Sequence, residues 1–459
     1  MPPSSPRLVF AVLSTSVVAF SLVQSMSIPV VVEIARHYDT SATTATWVVT
    51  SYLLSAAVAT PLLGRWGDSV GKQRVLVLSL LALSLGSFAA AVAPTIGWLL
   101  AARVVQGLGG GVLPLAFGLV RDVSDPRTAP ARVAAMNSLM AVGMALGIVV
   151  AGPLLELASL AALFLVPGVV TLVAAGVAAR MRIRVDSRAP GGVSAWSAVW
   201  LAAWLVLILV GVTEGPVRGW LSAQVLLLIG FGIVAMGLWV RSELRARVPL
   251  VDLAMLGLPV VRVGSLVAVL VGFGGFAAYA FVPQYVQVPS ELGFGFGASA
   301  SRAGLVLLPA ALATFAAGLV TPLIARRVDY RGAIVLGGWV ASGGAVLLVL
   351  GREIEALVAA GGGILGFGVG VVFSGVAAVI VLGVAAHQTG VAAGMNANLR
   401  TVGGAIGAAV LTSIVAAASH PAPGPQTERG FVQGFAVLAV AFALAGLAAR
   451  SLPASHSSK

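Results

Sequence analysis

Apolar runs of about 20 residues, parted by short stretches that hold most of the charge, recur along the whole 459-residue chain. Fourteen such runs are predicted as spans: 8–32, 45–63, 74–93, 97–120, 133–155, 160–180, 196–213, 220–240, 262–288, 301–324, 331–350, 355–383, 390–418 and 430–451. Each suffices to cross a hydrocarbon layer of about 30 Å as a helix. The first run is read as a transmembrane helix rather than a cleaved leader, since it is long and no small-x-small cleavage site follows it. Water could not solvate the surface of a chain that is 59% hydrophobic with a mean hydropathy of +1.05. The expected class is an all-α polytopic membrane protein embedded in a lipid bilayer.

Charge orients these runs, because cytoplasmic connectors of helical membrane proteins carry an excess of Lys and Arg. With the N-terminus inside, 20 of the 27 basic residues fall on cytoplasmic segments: Arg7, Arg65, Lys72, Arg74, Arg121, Arg127, Arg132, Arg180, Arg182, Arg184, Arg188, Arg241, Arg245, Arg247, Arg262, Arg326, Arg327, Arg331, Arg450 and Lys459. Outside lie only Arg36, Arg218, Arg302, Arg352 and Arg429, while Arg103 and Arg400 fall within runs. This split predicts an even number of spans and both termini in the cytoplasm. The net charge of +12 therefore reflects topology. Its carriers are scattered and form no basic patch with interleaved aromatics, so no nucleic-acid partner is expected.

Composition also narrows the chemistry. The chain has no cysteine, and His37, His387, His420 and His456 show no ligand spacing, so no metal site is expected. No Ser/His/Asp or Cys/His constellation points to an enzyme, and no phosphate-binding loop points to ATP coupling.

An internal repeat organises the runs. Residues 60–71 read TPLLGRWGDSVG and residues 321–332 read TPLIARRVDYRG, an offset of 261. LMAVGMALG from Leu139 and LRTVGGAIG from Leu399 share L-x-x-V-G-x-A-x-G at an offset of 260. Two matches at nearly one offset predict two six-helix halves of the same orientation, 1–190 and 251–459, with two additional helices in 191–250. Parallel halves of this kind hold a substrate near the midplane between them.

The stretch GRWGDSVGKQR resembles the signature between the second and third helices of the major facilitator superfamily, with Gly64, Asp68, Gly71 and Lys72 in place. Gln73 departs from the family's basic preference, and Arg74 follows it. Arg103, Gln106 and Gly107 match a fourth-helix R-x-x-Q-G pattern. Gly143, Gly147, Gly152 and Pro153 are similar to the fifth-helix motif of drug antiporters. Fourteen spans with an extra central pair resemble the drug:H+ antiporter branch, which includes multidrug and antibiotic exporters. The first-helix aspartate common in that branch is absent, replaced by SLVQSMSIP, and Glu156 stands where glycines usually follow Gly-Pro.

The resemblance implies a gating role for Asp68, as a carboxylate latch meeting cations and a helix N-terminus across the two halves. Arg326 and Asp329 form the degraded second copy. Arg103 lies about 9 Å below the outer edge of its helix, where a cation must be paired or face a wet cavity. Glu33 is its expected partner in proton coupling, with a static ion pair as the other reading. Glu33, Glu156 and Glu214 are candidate proton carriers or, equally, solvated helix ends. The motif glycines and Pro153 form an antiporter-type hinge by resemblance and ordinary helix packing by composition, as the chain has 56 glycines. Expected cavity residues are Gln24, Tyr52, Gln106, Asn137, Phe276, Tyr279, Gln284, Tyr285, Gln287, Asn396, Asn398 and Arg400. Arg400 is deep if its helix begins at 390 and superficial if it begins near 396.

Together these features predict a proton-coupled secondary transporter exporting hydrophobic drug-like or natural-product molecules by alternating access. It would act as a monomer in a bacterial cytoplasmic membrane, powered by the proton gradient without a bound cofactor. A solute importer or facilitator on the same fold is the alternative.

Overall fold

The structure is a computed structural model that describes residues 6–125, 128–181, 183, 194–246, 249, 253–384, 389–418 and 427–453. Arg127, Arg182, Arg184, Arg188, Arg247 and Lys459 of the charge count lie outside the described residues, as do His387, His420 and His456. The described residues contain no strand. Their helices are α1 (Pro6–Met26), α2 (Val31–His37), α3 (Ala42–Val70), α4 (Lys72–Ala91), α5 (Ile96–Gly107), α6 (Val112–Val123), α7 (Ala129–Leu157), α8 (Ala162–Arg180), α9 (Ala195–Arg218), α10 (Ala223–Arg245), α11 (Leu253–Leu256), α12 (Pro259–Gln287), α13 (Ala300–Leu350), α14 (Glu355–Gly383), α15 (Thr389–Ala418) and α16 (Glu428–Ala449).

Local chemistry explains where these helices begin and break. Ser41, Thr95, Ser194, Ser222 and Ser299 each accept a hydrogen bond from a backbone N–H in the first turn of the following helix, satisfying a donor that lipid could not. The expected first span ends early, at Met26, and α2 starts at Val31. Pro29 lies between them and cannot continue the hydrogen-bond ladder. The fourth span is one path in two pieces, because Leu108–Gly111 tightens into a 3-10 turn between α5 and α6.

Thirteen of these helical segments are long and apolar enough to cross a membrane. One of them, α13, has 51 residues and a break at Asp329 (φ 60°, ψ 174°). The break divides those residues into two helices, which at 1.5 Å per residue sum to about 77 Å, more than two hydrocarbon thicknesses. The expected spans 301–324 and 331–350 are its two arms. In the first half the corresponding break falls at Gly71 (φ 117°), which separates α3 from α4.

Two sets of buried side chains hold separate cores. Helices α1–α8 enclose one set and α11–α16 the other, with Ile148 of α7 reaching into the second. Across the join α7 packs on α13 and α14, and α15 packs on α3 and α6. The extra pair sits outside: α9 lies against α3 and α15, and α10 packs on α9. Leu201, Leu205 and Trp239 knit that pair to Val58 and Leu62 on one side and Met395 and Val402 on the other. Much of α10 leaves its large apolar residues uncovered, among them Leu227, Phe231 and Val234, as a lipid-facing helix should.

The join is closest where α7 meets α13. A Cβ at Gly152 would come within 2.5 Å of the Ser301 backbone nitrogen, so only glycine admits this approach. Gly152→Val should lower the thermal midpoint of the purified protein, by overpacking worth about 1–3 kcal/mol. Gly176→Val is the control, since a Cβ there meets nothing within 4 Å and should leave the midpoint nearly unchanged.

Candidate functional site

Three clusters of polar side chains interrupt the apolar interior. The first surrounds Arg103, whose side chain is completely buried on α5. Its Nε donates to the Val48 carbonyl (2.8 Å), and its Nη1 donates to Gln106 Oε1 (2.8 Å) and the Val23 carbonyl (3.4 Å). Gln106 Nε2 in turn donates to Ser87 Oγ at 2.7 Å. The guanidinium carbon sits 4.4 Å from the Tyr52 ring centroid, a cation–π contact in a dry setting. R-x-x-Q spacing sets Arg103 and Gln106 one turn apart, so they bond directly and tie α5 to α1, α3 and α4.

This geometry corrects the expected Arg103–Glu33 pair. Glu33 lies on α2, half exposed, and pairs with Arg36 at 3.4 Å. No carboxylate among the described residues forms an ion pair with Arg103. Neutral acceptors and an aromatic face take the place of a counter-charge. Glu156 is exposed at the end of α7, and Glu214 pairs with Arg218.

The second cluster is the signature loop. Lys72 Nζ lies 2.6 Å from Asp122 Oδ2 and 3.7 Å from Asp68 Oδ1, and Arg121 lies 3.4 Å from Asp122. These ties join α3, α4 and α6 within one half, whereas a latch across the two halves was expected of Asp68. Gly64 packs against Pro114 of α6, and Gly71 supplies the positive φ that ends α3. Arg74 is exposed. Gln73, the residue that departs from the family pattern, donates to the carbonyls of Ala178 (2.8 Å) and Met181 (2.6 Å), capping the end of α8. In the second copy Asp329 accepts from the Gly332 N–H at 2.6 Å and forms no ion pair with Arg326 among the described residues. The repeat thus retains an aspartate at the break but changes its work from ion pair to cap.

The third cluster lies between the halves, around a narrow cavity of ≈ 20 Å³. Gln24, Phe276, Asn398 and Arg400 line it as expected, with Phe20, Leu53, Thr60 and Met140. An adjoining space of similar size, ≈ 20 Å³, is lined by Asn137, Asn396 and again Arg400. Since α15 starts at Thr389, Arg400 lies about 17 Å along it and is deep. Its guanidinium carbon stands 4.4 Å from the Phe373 centroid, and its Nη2 lies 3.8 Å from Met140 Sδ.

The other expected lining residues fall elsewhere. Tyr52 and Gln106 belong to the Arg103 cluster. Tyr279 bonds Thr314 Oγ1 at 3.0 Å inside the second half, because its face of α12 turns toward α13. Tyr285 donates to the Arg352 carbonyl at 3.0 Å near the outer end and packs among Phe294, Phe431 and Phe435. Gln284 is exposed, and Gln287 bonds back to the Pro283 carbonyl. Of the residues expected to form a hinge, Gly143 and Gly147 let α7 approach α1, Gly152 meets α13, and Pro153 lies within α7 one turn from its end.

Ion pairs near the first turns of α13, α14 and α16 carried no signal in the sequence. Arg302 pairs with Glu355, and Arg352 lies 2.6 Å from Glu428. The Glu428 carboxylate raises the Arg352 guanidinium above its ordinary value.

The family model described as Major Facilitator Superfamily matches residues 13–408. The multidrug efflux pump LfrA of Mycolicibacterium smegmatis is 28% identical over 388 residues, covering 84% of this chain and 76% of the pump. The cephamycin export protein CmcT of Amycolatopsis lactamdurans is 30% identical over 421 residues, covering 87% of this chain and 83% of that protein. Among solved structures, the human organic anion transporter MFSD10 (TETRAN) superposes with a TM-score of 0.66 at 16% identity, over 98% of this chain and all of that one. The Escherichia coli xylose transporter XylE does so with a TM-score of 0.66 at 10% identity, over 99% of each chain. At such identities the two structures speak for the fold alone.

Two substitutions separate charge from geometry. Arg103→Lys retains the cation but loses the planar fork, so transport should fall at least about tenfold, while Gln106→Glu, placing a carboxylate beside Arg103, should retain part of it. Asp122→Asn should lower stability by about 1–3 kcal/mol by stripping the mostly buried Lys72 of its main partner. Thermal unfolding of the purified protein checks this second effect.

Proposed function

The chain belongs to the Major Facilitator Superfamily, and from that membership we propose that it exports hydrophobic drug-like or natural-product molecules in exchange for protons. It is a multi-pass membrane transporter, and its similarity to LfrA and CmcT runs over more than four fifths of its length. That similarity carries the export reading, since the two relatives named are an efflux pump and an export protein.

The geometry agrees with it. The cavity lies between the halves and has mostly apolar walls with a few polar groups, the pattern of a small-molecule site. Contacts between halves occur on both sides of Arg400: Gly152 against Ser301 toward one end, Asn137 against Phe373 and Gly394 against Pro114 toward the other. Rocking of the halves would open one set while the other stays packed. Arg103 acts here as a positioning residue for proton coupling, holding α1, α3, α4 and α5 in one arrangement.

Everted membrane vesicles test this. Respiration acidifies the lumen, and a pH-sensitive dye reports protons leaving as a compound is driven in. A lipophilic compound from an antibiotic and dye panel should evoke proton release. The response should fall at least about tenfold in Arg103→Ala and persist in Glu33→Gln, because Glu33 pairs with Arg36 instead. A panel that evokes no release, with radiolabelled solute taken up down its gradient, would replace export by facilitated uptake.

A further inference from the structure

Arg400 is 4% exposed and forms a wall of both spaces between the halves. Its surroundings contrast with those of Arg103, whose Nε and Nη1 reach three oxygen acceptors although its Nη2 has none among the described residues. Among the described residues, the hydrogen-bond contact of Arg400 is to the Met140 sulfur, a weak acceptor, and its Nε has no partner. The Phe373 ring covers one face of the guanidinium. No carboxylate lines either space: the polar lining is Gln24, Thr60, Asn137, Asn396, Asn398 and Thr401.

The repeat sharpens the picture. Met140 and Arg400 occupy the same position of L-x-x-V-G-x-A-x-G in the two halves. Equivalent residues that touch must lie beside the pseudo-twofold axis relating the halves. On that axis one half presents a thioether and the other a cation. A cation at such depth costs several kcal/mol unless something satisfies it, and nothing charged in the described cavity does so.

We propose that Arg400 is the anion-recognition residue of this cavity, and that the substrates are amphiphilic organic anions with an apolar body and one carboxylate or sulfonate. The inference rests on the cavity being the substrate site of the exporter proposed above. Guanidinium and carboxylate match as a two-pronged pair, and the low dielectric strengthens their attraction. Once the halves part and widen the space, Phe20, Leu53, Leu113 and Phe276 would line the apolar body. Pairing would neutralise the cation and remove the charge that opposes passage of the halves through their closed arrangement.

The test is equilibrium binding to the protein in nanodiscs, read by quenching of tryptophan fluorescence. The probes are 1-pyrenebutyrate, its methyl ester and 1-pyrenebutylamine, which share one apolar body and differ in charge. Empty nanodiscs correct for partition into lipid. Wild type should bind the acid at least about tenfold more tightly than the ester, and the amine most weakly. Arg400→Met places the Met140 side chain on both sides of the axis, fills similar volume, and should bring the acid-to-ester ratio near one without weakening the ester. A wild-type ratio of one overturns the proposal and needs no variant to fold. A ratio unchanged in Arg400→Met also overturns it, as does equal loss of all three probes in a variant that retains its thermal midpoint. Proteoliposome transport separates this from the export reading. Acid bound through Arg400 but not moved outward sinks export and leaves the anion site standing, whereas export of the amine with a wild-type ratio of one does the reverse.

Discussion

A bilayer offers a buried guanidinium neither an acceptor nor a counter-charge, so each cation inside this protein depends on what the protein or a bound molecule supplies. The two arginines within its runs meet that constraint differently. Arg103 is enclosed by the Val48 and Val23 carbonyls, Gln106 and the Tyr52 ring, and its bonds tie four helices of one half together. Arg400 has an aromatic face and a sulfur, and opens onto the space between the halves. The oxygen-rich network of Arg103 is a joint of the scaffold, although its Nη2 has no hydrogen-bond partner among the described residues. Arg400, with a sulfur in place of any oxygen acceptor and a place on the axis about which the scaffold is built twice, is where an incoming molecule can supply one.

The same constraint shapes the rest. Small residues bring backbones together where polar side chains are unavailable as glue, as at Gly143 and Gly147 against α1 and Gly152 against α13. Charge is confined to the ends. The Lys72–Asp122 pair binds α4 to α6 at one end, while Arg352–Glu428 binds the connector before α14 to α16 at the other. Each of these ion pairs lies within one half, which leaves the contacts between halves mostly apolar and free to part. The extra pair α9 and α10 bridges the join from outside through α3 and α15.

Much of the fold was legible in the sequence because the solvent is so exacting: apolar length alone marks a crossing, and the spans were found where apolar runs stand. The first span diverges for a local cause, Pro29 closing α1 early, whereas Asp329 breaks α13 between the two expected spans. Repeat spacing exposed the equivalence of residues 140 and 400. Side-chain direction was less legible. Periodicity places Tyr279 and Tyr285 near the cavity, but which face of α12 turns inward depends on α13, α14 and α16, helices far along the chain. Charge matching alone favoured Glu33 for Arg103, since a sequence does not reveal that two backbone carbonyls, from α1 and α3, would converge on one guanidinium.

Rocking of two rigid halves about the Arg400 cavity is most directly tested by distances. The chain has no native cysteine, so introduced pairs can carry spin labels without interference. Leu157 and Leu350 are exposed on α7 and α13 toward the outer face, and Arg74 and Arg327 are exposed on α4 and α13 toward the inner one. Pulsed electron–electron resonance in nanodiscs should give two distance populations for each pair. On acidification or addition of a transported compound, the outer and inner distances should shift in opposite directions. Movement of both pairs in the same direction, or of neither while transport continues, would contradict it.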